Sequence, residues 1–259
     1  MKNIKISLLT LVAITSISSA TDVAEQYTNV MSVKATDELK QSINLGFSST
    51  SGNSDTLNVN GKYDMSRITN GYQGNPLKVV FDASAFFTES NNIKSNEEFM
   101  ANLGLEQIIH NGWLGYAGVN WLRNPDFRNY DNKFSIGAGI GKELYKDNTQ
   151  LLVVKLGTSY NIEDYANTQT TEKFAALNEY LEYSNQLNKI SKFFFKIGSM
   201  QNFENFSNDY EVASSLGANF AVAENINLTL AQEVVYDNLP ALGFKKTDTK
   251  TIATLGYNF

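Results

Sequence analysis

Thr251-Ile252-Ala253-Thr254-Leu255-Gly256-Tyr257-Asn258-Phe259 closes the chain. Ala253, Leu255, Tyr257 and Phe259 fall in one phase of this stretch, and Thr254, Gly256 and Asn258 in the other. A period of two marks a strand with one apolar face. A strand that runs to a terminal aromatic residue fits the seam of a closed outer-membrane barrel, where no edge is left unpaired. It also fits the edge strand of a soluble sandwich, so the decision passes to the rest of the chain.

At the other end, Lys2 and Lys5 precede an apolar run over residues 6–17, and Ser18-Ser19-Ala20 follow. Basic, apolar and small-residue zones in that order read as a secretory signal peptide over residues 1–20, with cleavage expected after Ala20. Residues 21–38 are polar and mixed, with Val23, Tyr27 and Val30 loosely spaced like one helical face. They read as a periplasmic leader or short helix, with the barrel expected over residues 39–259. The chain has no cysteine, which excludes a lipoprotein anchor, disulfides and thiolate metal sites. Removing residues 1–20 takes away two lysines and no acid, leaving 19 basic and 27 acidic side chains, a net charge of −8. That balance, with no basic cluster, argues against nucleic acid as a partner. Past residue 20 no apolar run approaches the ~20 residues of a spanning helix, so a membrane would be crossed by strands.

The alternation of the closing stretch recurs through the chain. Leu57, Val59, Tyr63 and Met65 oppose Asn58, Asn60, Lys62 and Asp64; Phe99, Ala101, Leu103 and Leu105 oppose Glu98, Asn102, Gly104 and Glu106. Phe134, Ile136, Ala138 and Ile140 oppose Ser135, Gly137, Gly139 and Gly141, a glycine face suited to a tightly curved wall or one crowded from inside. One strand, over residues 171–183, is ambiguous, because Glu179 shares a face with Leu177 and Leu181 while Phe174 and Tyr180 share the other with Asn178 and Glu182. The count is twelve strands (about 10–14), an even number as single-chain bacterial barrels have. Connections alternate between short (110–112, 185–189, 223–225) and long (88–96, 123–132, 163–170, 237–247), with a tight first outward turn and a long second connection as exceptions. Trp113 and Trp121 stand eight residues apart, about 27 Å at ~3.4 Å per residue. With Tyr236 and Tyr257 they are expected in aromatic girdles at the two rims of an apolar band. A closed soluble barrel of this size is expected to have more interior wall than side chains can fill, whereas the same apolar faces turned to lipid need no partner. The fold class expected is therefore all-β, a closed antiparallel up-and-down transmembrane β-barrel.

Ser51-Gly52-Asn53-Ser54-Asp55-Thr56, continuing through Asn60-Gly61, resembles the opening hairpin of an uncharacterised bacterial family known as salt-induced outer membrane protein. Arg123, the run Phe127-Arg128-Asn129-Tyr130-Asp131 and the series Gly137-Ala138-Gly139-Ile140-Gly141 are similar to the centre of that family. The resemblance runs from about residue 38 to the end of the chain. It implies an outer-membrane barrel of unassigned activity and supplies no catalytic residue. Asn124-Pro125-Asp126 departs from the charge expected there in relatives, which weakens a pairing role for that loop.

Charges opposite the apolar faces are the candidate functional residues: Lys62, Asp64, Glu98, Glu106, Lys155, Lys192, Lys196, Glu211 and Glu233 on the strands, and Arg123 and Arg128 in the central loop. That loop is expected either to fold over the lumen and pair with carboxylates such as Glu98 or Glu106, or to meet anionic lipopolysaccharide. An acidic lumen makes a narrow, weakly cation-preferring channel the first functional expectation. The alternative is a non-conducting structural or binding barrel whose outward loops contact lipopolysaccharide or a partner. A lipid-modifying enzyme at the rim ranks third, because His110 is the one histidine, lies in a tight turn, and has no G-x-S-x-G elbow beside it. The loop acids Asp126, Asp131, Glu163 and Asp164 match no calcium-loop spacing, so neither metal nor cofactor is expected. The expected partners are outer-membrane lipids, lipopolysaccharide and, through Leu255, Tyr257 and Phe259, the barrel-assembly machinery. The expected state is a monomer in the outer membrane of a Gram-negative bacterium.

Overall fold

A computed structural model describes residues 37–51, 56–90, 93–126 and 128–259. The signal peptide, most of the 21–38 leader, the 52–55 turn and Phe127 lie outside the described residues. Twelve strands follow in chain order: β1 (Leu39–Ser51), β2 (Thr56–Asn70), β3 (Pro76–Ser90), β4 (Ile93–His110), β5 (Trp113–Asn124), β6 (Tyr130–Lys146), β7 (Gln150–Tyr165), β8 (Thr171–Gln186), β9 (Ser191–Asn202), β10 (Tyr210–Ala223), β11 (Ile226–Asp237) and β12 (Thr247–Asn258). Each pairs antiparallel with its sequence neighbours, and β1 pairs with β12 to close the barrel. Strands of 12–18 residues exceed the ~9–11 that a tilted strand needs to cross a bilayer core.

The closing stretch forms the seam. Ile43 faces Tyr257, Leu45 faces Leu255 and Ser51 faces Thr249 across it. The Phe259 N–H donates to the Gln41 carbonyl at 3.1 Å, and the Phe259 ring stacks on Tyr257 at 6.3 Å. The phases assign every face. Leu45, Leu103, Val119, Ile136, Leu156, Leu230 and Leu255 are exposed on the outside, while Lys62, Asp82, Asn102, Lys155 and Glu233 are buried on the inside. An apolar exterior around a polar interior inverts a soluble protein and matches a lipid solvent. The protein is an outer-membrane β-barrel. β8 resolves in the same terms: Phe174, Ala176, Asn178, Tyr180 and Glu182 point inward, leaving Leu177, Glu179, Leu181 and Tyr183 outward.

The turns obey local chemistry. Between β4 and β5, Asn111 (φ 48°) and Gly112 (φ 74°) adopt the left-handed pair that a two-residue hairpin requires. Inside the wall, the glycine series of β6 makes room for a side chain: the Tyr116 hydroxyl lies where a Cβ on Gly139 or Gly157 would stand.

Inside the barrel, apolar side chains pack among the polar ones. Apolar residues in the inward phase, among them Leu114, Tyr116, Leu151, Val153, Phe174, Tyr180 and Met200, form a continuous buried cluster. Phe194 with Ile252, and Met100 with Leu122 and Tyr130, form two smaller ones. Long inward side chains occupy volume that shorter ones would have left to water.

Candidate functional site in the lumen

Buried charges fill the space between those clusters. Among the described residues they are Lys62, Lys78, Arg128, Lys133, Lys155 and Lys250 against Asp64, Asp82, Glu98, Glu106, Glu163, Glu182, Glu211 and Glu233. Desolvating such groups is costly unless each is paired and hydrogen-bonded, and the sequence places partners on neighbouring and distant strands.

Near the seam, Lys62 lies 3.3 Å from Asp64 and 3.8 Å from Asp82. Asn44 donates to Asp64 at 2.9 Å, Asn102 donates to Asp82 at 2.7 Å, and Asn120 donates to Asn102. Two contacts leave the local sheet. Lys250 of β12 donates to Glu98 of β4 at 3.3 Å, four strands around the barrel, and its ammonium lies 4.3 Å from the Phe86 ring centroid. Lys155 of β7 donates to Glu106 of β4, with the rings of Tyr116 and Tyr180 at 5.6 and 5.4 Å. These pairs tie together strands three and four places apart in the ring.

The central loop splits its two arginines. Arg123, at the end of β5, turns outward and pairs with Asp131 and, at 3.4 Å, with Glu97. Arg128 turns inward and donates to Glu211 on β10, with 5% and 4% of the two side chains exposed. The loop thus folds into the lumen, but Arg128 meets Glu211 rather than Glu98 or Glu106, which are held by Asn124 with Lys250 and by Lys155. The Arg128 N–H donates to the Asn124 side chain at 3.2 Å, which ties the loop to the strand it leaves. Tyr130 lies beneath, with Arg128 5.5 Å and Lys133 4.7 Å from its ring centroid. Lys133 in turn meets Glu163 at 2.9 Å, and the Tyr165 hydroxyl donates to Glu163 at 2.6 Å.

Lys192 and Lys196 line the periplasmic half of β9, opposite Gln186 and Glu182 of β8. Glu233 faces Lys250 across the β11–β12 register. Trp113 stands at the periplasmic rim, with the Lys142 ammonium 5.1 Å from its ring centroid. Trp121 donates to Asn132 at 3.1 Å toward the outer rim, where Tyr236 lies 6.1 Å from Tyr210. Leu255, Tyr257 and Phe259 are exposed on the periplasmic half of the seam. His110 is exposed at its turn. Sequence reading missed Lys78, Lys133, Glu182 and Lys250 as site residues, and it put Glu163 in an outward loop, whereas Glu163 is buried on β7 against Lys133. The signal for Lys250 was one residue away, since the inward phase of Gly256, Thr254 and Ile252 reaches it when carried one step further back.

The model of the family described as "Protein of unknown function, DUF481" matches residues 43–259, and the chain belongs to that family. No curated protein matches the chain in sequence. Among solved structures, the NanC porin superposes with a TM-score of 0.52 at 7% identity, covering 83% of this chain and 98% of that one. The COG4313 outer membrane channel from Pseudomonas putida F1 gives 0.50 at 10% identity, covering 85% and 95%. The translocator domain of autotransporter NalP from Neisseria meningitidis gives 0.50 at 10%, covering 85% and 88%. At such identities these likenesses establish the fold alone.

Proposed function

We propose that this DUF481 barrel is a narrow outer-membrane channel held shut, in the conformation described, by ion pairs driven across its lumen. The contact between Arg128 of the central loop and Glu211 of β10 carries the reading. A barrel serving only as a plug would be at least as stable with well-packed apolar residues in place of buried ion pairs. Charges that become hydrated in an open state account for their presence on the inner wall. The acidic balance of the chain, net −6, supports a mild preference for cations once the lumen is wet.

The test is single-channel recording of the refolded protein in a planar bilayer. Wild type is expected to open rarely, with reversal potentials in a salt gradient displaced toward cations. Arg128→Gln/Glu211→Gln removes both charges together and is expected to open more often. Silence from both proteins, each shown to be folded by its heat-dependent gel shift, or anion preference in either, would sink the proposal.

A second reading is favoured by the continuous apolar cluster across the interior. It describes a non-conducting barrel whose outward loops bind lipopolysaccharide or a partner, with Arg123 at the outer rim as the contact. On either reading the Leu255-Gly256-Tyr257-Asn258-Phe259 end is the proposed recognition element for barrel assembly.

A further inference from the structure

At one depth in the membrane the outer face changes character around the barrel. Six to nine residues from the periplasmic end of each strand, β1–β6 present Leu45, Tyr63, Ala83, Leu103, Val119 and Ala138 outward. At the same level β7–β12 present Thr158, Glu179, Ser199, Ser214, Gln232 and Thr251. One half of the perimeter is apolar, and the other carries one polar side chain on every strand. The register rules out a stripe that merely follows hydrogen-bonded neighbours. Glu179 faces Ser199, but Ser199 faces Val212 and Ser214 faces Val234. Between β9 and β11 the polar position slips four residues toward the periplasm. That slip offsets the strand tilt, which carries the register from Tyr183 on β8 up to Ser49 at the outer end of β1.

A carboxylate and a carboxamide at mid-depth are costly against lipid tails, and ionisable residues there by default mark contacts other than lipid. Ser199 donates to Glu179 at 3.1 Å and Thr251 donates to Gln232 at 2.6 Å, so the band is partly organised before any partner arrives. Over β6–β10 lies a groove of about 870 Å³, walled by Ile140, Leu156, Leu181 and Ile197, with Glu179 and Ser199 within it.

We infer that the β7–β12 face is the contact surface for a second copy of this chain, docked side by side in the same orientation. The depth of the band selects that occupant. Copies inserted in the same direction keep every residue at its own depth, so a band at one level necessarily meets the same band on its neighbour. A two-fold axis normal to the membrane near β9–β10 brings the Glu179 end, an acceptor, against the Gln232 end, which carries an amide donor, and does so twice. Each copy supplies the apolar side chains that fill the groove of the other. This replaces the monomer expected from sequence, and it holds whether or not the lumen conducts.

The chain has no cysteine, so single-cysteine crosslinking in native outer membranes reads the contact directly. Ser199→Cys and Ser214→Cys are expected to give an oxidised adduct of twice the chain mass, and Leu103→Cys, on the opposite face, none. In the Ser214→Cys background, Glu179→Leu/Gln232→Leu is expected to cut the adduct about tenfold while the heat-dependent gel shift stays unchanged, since each hydrogen bond lost in the membrane weakens association severalfold. Absence of adduct from both serine positions, equal adduct from Leu103→Cys, or no response to the leucine pair would overturn the proposal. An adduct of a different mass would place another protein on this face and overturn it too.

Discussion

Removing the Arg128 side chain tests whether the lumen network holds the barrel together. Both partners are almost wholly buried, with 5% of the Arg128 side chain and 4% of Glu211 exposed. Arg128→Ala leaves the Glu211 carboxylate in that environment without its cation. Breaking a buried pair from one side costs about 3–5 kcal/mol, which corresponds to roughly two to three and a half orders of magnitude in the folding equilibrium at ~1.4 kcal/mol per tenfold. Replacing both members with apolar residues of similar volume removes the stranded charge. Arg128→Met/Glu211→Leu is therefore expected to unfold within about 1 kcal/mol of wild type, or later than it. Urea titration in lipid vesicles, followed by the emission of Trp113 and Trp121 and by the gel shift, measures both. The midpoint should fall for Arg128→Ala with an unchanged slope. If Arg128→Ala unfolds with wild type, or the double variant loses as much as the single one, the contact is not the buried pair described.

Two other predictions concern the periplasmic end. Deleting Phe259 removes the N–H that donates to Gln41 and the ring stacked on Tyr257; the yield of assembled barrel in outer membranes should drop, and an unchanged yield would count against a role in assembly. In the β6–β7 turn, the Asp147 carboxylate accepts from the backbone N–H of Thr149, the Tyr145 hydroxyl and the backbone N–H of Gln150, and these hold its pKa down at about 2 against an ordinary 3.8. A lowered folded-state pKa gives stability that is complete above about pH 4 and disappears as pH falls through about 2. Asp147→Asn should flatten the stability–pH curve in that window and nowhere else, as measured by urea midpoints across pH.

The outer face was legible in the sequence because lipid tolerates few errors. Most outward positions between the rims are apolar, so alternation alone marks twelve strands and the phases of all but one. β8 was the strand whose two sides could not be told apart, since Glu179 interrupts its outward side while Phe174 and Tyr180 occupy its inner side. The interior was far less legible. Its composition could be read from the polar phase, but partners depend on how far a side chain reaches across a closed ring. Nothing local in Lys250 announces Glu98, 152 residues away. Apolar residues in the inward phase, such as Phe86, Met100 and Phe194, look like irregularities in a strand pattern, yet they fill the lumen. The central loop was singled out for the right side chains, but sequence could not separate Arg123, which turns outward, from Arg128, which turns inward.

The β1–β12 seam sets how this chain must come together in time. Every other strand pair joins sequence neighbours, so hairpins can form early and locally. Leu45 and Leu255 stand 210 residues apart, and their pairing carries the largest loop-closure entropy of any strand contact in the molecule. Ring closure is therefore expected as the last and slowest event. Until it occurs, β1 and β12 are two open edges able to recruit foreign strands. The pairing that finishes the barrel is also its chief hazard on the way.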